Sequence, residues 1–378
     1  MNIGRVQTPT LAMIAERDSK ISMFRKEKYY TVEIDGGNIK AVSDKISDKD
    51  EAQNLQAACH ERQAVCISAV KEKKKTGAPK LFDLTTLQRE ANRIFGYTAK
   101  QTLDYAQSLY EKKLITYPRT DSRYLTDDMH NTVIKIVHIA SKFAPFSNCT
   151  DFKPDTFCLF NNEKVSDHHA IIPTAEIENI SLAEIPNGES NILHLIMCKL
   201  LCAVNSPYEY ETITAVLECG GVQFTAKGKI ILFEGWKISN SFLKDIFIRT
   251  QTAPKMYFVL QKAKPLTVSS EVKEGYTSPP KAFTEDTLLS SMETAGAAET
   301  TDEAERKGLG TPATRAAIIE KLVQTGFAER KGKSIVATHN GISLVSVLPE
   351  KLTSPILTSD WENNLAEIAK AIIRRSSL

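Results

Sequence analysis

Strand-like segments in this chain fall in two blocks held far apart by helical sequence, and this spacing constrains the fold more than any other feature. The first block runs from Tyr29 to Ile34, turns at Gly36-Gly37 and resumes from Ile39 to Val42. After a helical segment over Lys49–Cys59 it returns from Val65 to Val70. The second runs from Glu211 to Glu218, turns at Gly220-Gly221, and continues through Val222–Lys227 and Ile230–Phe233. Period-two alternation bounded by glycine turns is the mark of strands. Between the blocks the pattern is helical: Thr85–Phe95 ended by Gly96, a segment capped by Thr98 and running to about Lys112, then 126–142 and Ser190–Val204. A helix also opens the chain, with Thr8 as its N-cap, Pro9 at the first helical position and an end near Ser19. Further helices are expected at 284–294, 312–325 and 361–374. Lys71–Lys75, followed by Gly77 and Pro79, reads as a charged connector, and the stretch ending near Pro279-Pro280 as charged and irregular. With 378 residues, room for two or three domains, the chain is expected to be a mixed α and β, multidomain protein.

Composition narrows the class. Hydrophobic residues make up 42% and charged residues 25%, as in soluble globular proteins. No apolar run approaches the roughly 20 residues that span a bilayer, and no signal peptide follows Met1. A cytoplasmic protein with no membrane partner is therefore expected. Seven cysteines, at 59, 66, 149, 158, 198, 202 and 219, form no CxxC pair, so they read as reduced thiols rather than a zinc site. A net charge of +2 neither requires nor forbids nucleic acid; a DNA-binding chain of this balance must segregate its charge.

Residues 84–125 run helix, turn, helix, short extended segment, and residues 284–338 repeat that order, ending in Gly326-Phe327-Ala328 and a candidate wing at Ser334–Ala337. Both fit winged helix-turn-helix units that can lie against DNA; ordinary helix-hairpin packing gives the same order. Chemistry concentrates between Gln107 and Asp121. Gln107 and Glu111 share a helix face that leads into Thr116-Tyr117-Pro118-Arg119-Thr120-Asp121. Pro118 disfavours helix at Tyr117 and sets the tyrosine on extended or turning backbone. A phenol, with an ordinary pKa of about 10, becomes a covalent nucleophile when helped to lose its proton. Arg119 supplies a permanent cation that favours the phenolate and can clamp a phosphate by two parallel bonds. A structural Tyr-Pro turn beside a surface arginine has the same sequence.

Four ordered segments resemble the type IA DNA topoisomerases: Gly4-Arg5-Val6-Gln7-Thr8-Pro9, Leu114-Ile115-Thr116-Tyr117-Pro118-Arg119-Thr120-Asp121-Ser122, Asp167-His168-His169-Ala170-Ile171-Ile172-Pro173-Thr174, and Gly308-Leu309-Gly310-Thr311-Pro312-Ala313-Thr314-Arg315. The paired histidines and the Tyr-Pro-Arg step are closer to bacterial topoisomerase III than to topoisomerase I. The resemblance implies that Tyr117 attacks single-stranded DNA and forms a 5′-phosphotyrosine intermediate, that a second strand passes, and that the 3′-hydroxyl religates the break without ATP. Relaxation of negative supercoils and decatenation follow. No GxxxxGK[ST] phosphate loop is present, which agrees with ATP independence.

By position, Tyr117, Arg119 and His168 take the catalytic places, and Gln107, Glu111, Thr116, Thr120 and Asp121 the supporting ones. Arg5, Gln7 and Thr314 take places along the single-strand path, where guanidinium, amide and hydroxyl groups suit phosphate contacts. His169 receives no separate role. Thr314 as a helix cap and Arg5 paired with a carboxylate are the plain alternatives.

The family fold is a toroid whose central hole admits duplex DNA. It implies a helical domain from 1–26 plus 276–378, a β-rich arch from 27–80 plus 206–275, and a winged-helix-like (CAP-like) unit over 81–205 carrying Tyr117. The family binds Mg2+ through an Asp-x-Asp-x-Glu site in a Toprim domain placed before the Gly-Arg-Val-Gln motif. This sequence has no such triad; Asp48-Lys49-Asp50-Glu51 has the wrong spacing and suits a helix start. The expectation is thus a fragment lacking the Toprim domain and binding no metal itself, cut again inside the 361–374 helix. Further expectations are a monomer and a cytoplasmic, nucleoid-associated bacterial setting. A non-catalytic DNA-binding protein of two winged-helix units is the rival reading.

Overall fold

The computed structural model describes residues 4–143, 146, 155–239, 265–295 and 308–354. The helix expected at 361–374 and Cys149 lie outside them. The chain opens with α1 (Gln7–Ser22), then β1 (Lys28–Asp35), β2 (Lys40–Val42), α2 (Lys49–Cys59) and β3 (Arg62–Thr76). A helical stretch follows with α3 (Leu84–Phe95), α4 (Ala99–Glu111), α5 (His130–Lys142) and α6 (Asn187–Ala203). Strands return as β4 (Tyr208–Cys219), β5 (Val222–Phe233) and β6 (Leu266–Tyr276). Last come β7 (Phe283–Thr284), α7 (Glu285–Thr294), α8 (Pro312–Gln324), β8 (Ala328–Lys331), β9 (Ser334–Ala337) and α9 (His339–Val347).

The two strand blocks join in one closed antiparallel barrel in the order β1-β2-β5-β4-β3-β6. Every second residue of β1 points inward (Tyr30, Val32, Ile34), as the two-residue side-chain period dictates. These pack with Ala41, Ala64, Ala215, Leu217, Phe224, Ala226 and Val268, and α2 adds Ala52 and Cys59. Closure removes the free edges that an open sheet would expose.

Several sequence expectations change here. Lys71–Lys75 are not a connector: they continue β3, paired from Lys71↔Ile213 to Thr76↔Tyr208. Past residue 68 both faces of β3 are solvated, so no apolar alternation betrays the strand; its ladder with β4 holds it. Residues 266–276 are likewise a strand rather than irregular, paired with β1 from Lys28↔Tyr276 to Asp35↔Ser269. Val222–Phe233 is one strand, not two. The first helix starts at Gln7, with Val6 at the N-cap and no side-chain cap, and runs to Ser22 rather than Ser19. Thr8 instead lies inside its first turn and accepts from the Gly4 N–H at 3.3 Å, and Pro9 is tolerated there because first-turn N–H groups have no helical partner.

Two further apolar clusters lie outside the barrel. One gathers residues between Leu81 and Val204, including Phe82, Leu87, Leu109, Ile115, Ile172 and Ile196. The other joins Leu11 and Ile14 of α1 to Leu288, Leu289, Met292, Leu309, Ile319 and Leu322. β7, β9 and β8 form a small sheet beside it, with β8 and β9 as a hairpin after α8. Among the described residues, no helix is long and apolar enough to cross a membrane.

Candidate active site

α4 delivers the site. Thr98 caps it by accepting from the Gln101 N–H at 3.0 Å, while Gln101 accepts from the Thr98 N–H at 2.9 Å. This reciprocal capping box fixes where the helix begins. Its last turn carries Tyr110, whose ring meets Tyr117 edge-on at 5.4 Å. Gln107 and Glu111 bond each other, Nε2 to Oε1, at 3.0 Å on the exposed side of the helix.

Two sequence motifs are zipped together beyond that helix. Thr116 donates its N–H to Ile172 O at 3.0 Å and its hydroxyl to Ala170 O at 3.0 Å. The same hydroxyl accepts from the Ile172 N–H at 3.0 Å. Thr120 donates to His168 O at 2.8 Å, and Ser166 to Asp121 Oδ1 at 3.4 Å. The threonines at 116 and 120 are thus spent on backbone, and their bonds bring His168 onto Tyr117 with ring centroids 4.3 Å apart. Tyr117 is half-buried, whereas Arg119 and His168 are exposed. Arg119 has no ion-pair or hydrogen-bond partner among the described residues.

A cleft of about 150 Å3 opens beside this pair, lined by Arg119–Asp121, Ser166–His168 and Thr311–Ala313. The last three residues are the start of α8; the Thr311 N–H is taken by Thr314 Oγ1 and Pro312 has none, so the Ala313 N–H and the helix dipole are what favour an anion there. A guanidinium and a helix N-terminus, both suited to a phosphate group, therefore line one small cavity together with the carboxylates of Asp121 and Asp167.

The fourth motif reaches the cleft because Gly308 passes against the end of α7. A Cβ built on Gly308 would lie 2.2 Å from Met292 O. Gly310 takes φ +69, the left-handed region, so that the chain can turn into α8. Val6 of the first motif lies against Gly310, so the Gly4–Pro9 and Gly308–Arg315 segments are neighbours. Exposed Arg5 and half-buried Gln7 stand at the start of α1. Thr314 acts as a cap partner: its Oγ1 accepts from the Thr311 N–H at 3.0 Å, and Thr311 rather than Thr314 lines the cleft.

Residue-level reading of the sequence singled out neither Ser166, Asp167 and Thr311 of the cleft nor Tyr110 on Tyr117. The first three lie within or beside quoted motifs; Tyr110 is signalled only by its place three residues after Gln107 on α4. Among the described residues no three His, Cys, Asp or Glu side chains converge on a metal position. Asp121 and Asp167 line the cleft, and no step below runs through a metal.

A family model described as DNA topoisomerase matches residues 1–378. The chain is 39% identical over 402 aligned residues to DNA topoisomerase 3 of Bacillus licheniformis, covering 100% of this chain and 54% of that protein. It is 38% identical over 390 residues to the protein of the same name from Bacillus subtilis, covering 98% and 53%. The chain thus spans about half the length of these curated relatives. A solved structure of full-length topoisomerase I from Thermotoga maritima shares the fold, with a TM-score of 0.76 at 22% identity over 98% of this chain and 60% of that one.

Proposed function

The chain belongs to the type IA DNA topoisomerases, and on that premise we propose that it carries the strand-cleaving tyrosine of such an enzyme. The Tyr117 oxygen attacks a phosphodiester of single-stranded DNA. A bond from that oxygen to phosphorus forms, the bond from phosphorus to the 3′ oxygen breaks, and the phenol proton is balanced by protonation of the departing 3′ oxygen. The product is a 5′-phosphotyrosyl link and a free 3′-hydroxyl. Attack by that hydroxyl reverses the step, so the bond energy is stored and no ATP is consumed.

One observation carries the reading: the Tyr117 and His168 rings lie 4.3 Å apart, tilted by 47°, at the edge of a cleft lined by Arg119 and the N-terminus of α8. Arg119 then clamps the scissile phosphate as the charge spreads over its oxygens. His168 orients the phenol ring, and Thr116 and Thr120 hold the loop. Asp121, Gln107 and Glu111 surround it. Arg5, Gln7 and the α8 start with Thr314 bind the single strand through its backbone. We further propose the division into a helical unit (1–26 with 276–378), a barrel unit (27–80 with 206–275) and a tyrosine unit (81–205). In the whole enzyme these would surround a hole for duplex DNA, with a monomer acting in relaxation and decatenation near the bacterial nucleoid. Mg2+ would be held by a Toprim domain of the kind the family carries.

The test mixes the chain with 3′-labelled single-stranded DNA, a Toprim domain from a relative and Mg2+, then quenches with denaturant. A denaturant-resistant protein–DNA band that disappears in Tyr117→Phe, while DNA binding persists, is expected. Binding that survives with no such band in the unaltered chain would favour the non-catalytic winged-helix reading.

A further inference from the structure

The tyrosine-bearing stretch and the α7–α8 stretch centre on different apolar clusters, with Ala99 of α4 packed into the second, and a set of ion pairs and hydrogen bonds also joins them. From α7 come Asp286 and Glu293, two turns apart and so on one face of the helix. Asp286 receives Arg89 Nε at 2.9 Å. Glu293 is gripped twice, by Arg89 Nη1 at 3.7 Å and by Arg123 Nη2 at 3.5 Å. Arg315 of α8 adds a bond from Nη1 to Thr85 Oγ1 at 2.9 Å.

Arg123 differs from the other members because it also looks inward. Its Nε meets Asp83 Oδ2 at 2.6 Å. Asp83 is the N-cap of α3, accepting from the Thr86 N–H at 2.7 Å, and it is 5% exposed. The next residue, Leu84, donates its N–H to Thr120 O at 3.1 Å. A single guanidinium therefore braces the segment that follows Tyr117 against the start of α3 and reaches across to α7.

Resting on the nucleophile reading above, we propose that Arg123 is a positioning residue that couples the Tyr117 loop to docking of α7 through Glu293. While Glu293 is present, Arg123 is held between two carboxylates and the loop is fixed. When α7 withdraws, Arg123 keeps only Asp83 and the loop loosens. The side chains of these ion pairs are a fifth to a third exposed, so salt weakens them.

Hydrogen exchange of the whole chain, read at low and high ionic strength, tests this. In the unaltered chain, added salt should speed exchange together in 84–95, 117–125 and 285–294. Glu293→Gln leaves the Arg123–Asp83 pair intact, which Arg123→Ala would not, so it probes coupling without risking the fold. It should speed exchange of the Ser122 and Tyr124 amides roughly two- to fivefold at low salt and blunt their salt response. Glu293→Asp should restore part of the protection. Asp286→Asn, which touches only Arg89 of this set, should loosen 84–95 and 285–294 while sparing 117–125. Unchanged exchange of 117–125 in Glu293→Gln overturns the proposal, as does equal loosening of that loop in Asp286→Asn. Loss of the covalent band in Tyr117→Phe is read separately, so failure of the nucleophile assignment is distinguishable from failure of the coupling.

Discussion

A threonine hydroxyl can donate one hydrogen bond and accept another, and Thr116 does both to a segment more than fifty positions away. Replacing it by valine keeps the shape but orphans the Ile172 N–H of a buried residue, while Ala170 O keeps its contact with His169 Nδ1 at 2.9 Å. Thr116→Val is expected to cost about 2 kcal/mol, seen as a lower urea midpoint. It should also lower covalent-band formation more than DNA binding, because His168 loses its register against Tyr117. At this scale the sequence was informative where chemistry is local. Pro118 marks Tyr117 as non-helical, and Arg119 stands beside the cleft as an exposed cation. It was silent on which hydroxyls are structural, since the partners of Thr116 and Thr120 lie about fifty residues on. Nor could it show that Thr314 is occupied as a cap partner.

Helices were legible when their ends carry side-chain signals. Asp48, Thr98 and Thr284 each accept from a first-turn N–H, and α2, α4 and α7 begin where those residues indicate. α1 has no such cap, and its start was misplaced accordingly. The outer half of β3 was illegible because its stability comes from its partner strand, not from an apolar face, whereas β6 packs Leu266, Val268 and Val272 against the core but interrupts that alternation with Ser270 and the charged residues 271, 273 and 274. The turn into α8 yields a prediction. In Gly308→Ala the new methyl would press on Met292 O and Glu293 O at the end of α7. Backbone cannot swing aside as a long side chain can, so about 1–3 kcal/mol of destabilisation is expected, read as a lower melting temperature. DNA affinity should fall as well, because the helix start that lines the cleft moves with that segment.

Across the whole molecule, acid should act in opposite directions on two regions. Glu33 of the barrel lies between Lys273 at 2.7 Å and Lys40 at 3.5 Å, and the Lys273 contact above all holds its carboxyl below the usual value. Its stabilisation is therefore full above pH about 4.5 and lost as pH falls through the depressed folded value. Urea titrations across acidic pH should show the barrel weakening there, and Glu33→Gln should lose that part of the dependence. Glu285 behaves oppositely: burial raises its pKa even though its Oε2 accepts from the Ala99 N–H at 2.5 Å and Arg330 faces its Oε1. Protonation is easier in the folded chain, so its contribution grows as pH falls from the raised value toward about 4.5. Glu285→Gln should flatten stability in that window. Barrel closure itself was beyond reach of the sequence, because it depends on pairings such as Lys28↔Tyr276 whose members are far apart along the chain. That pairing and Thr76↔Tyr208 share a geometric property: each puts the entry and exit of an inserted stretch side by side. The chain is nested like one pair of parentheses inside another, and each inner body hangs from its host by a two-ply strap. Cutting one ply leaves the other to keep the inserted stretch tethered to its host.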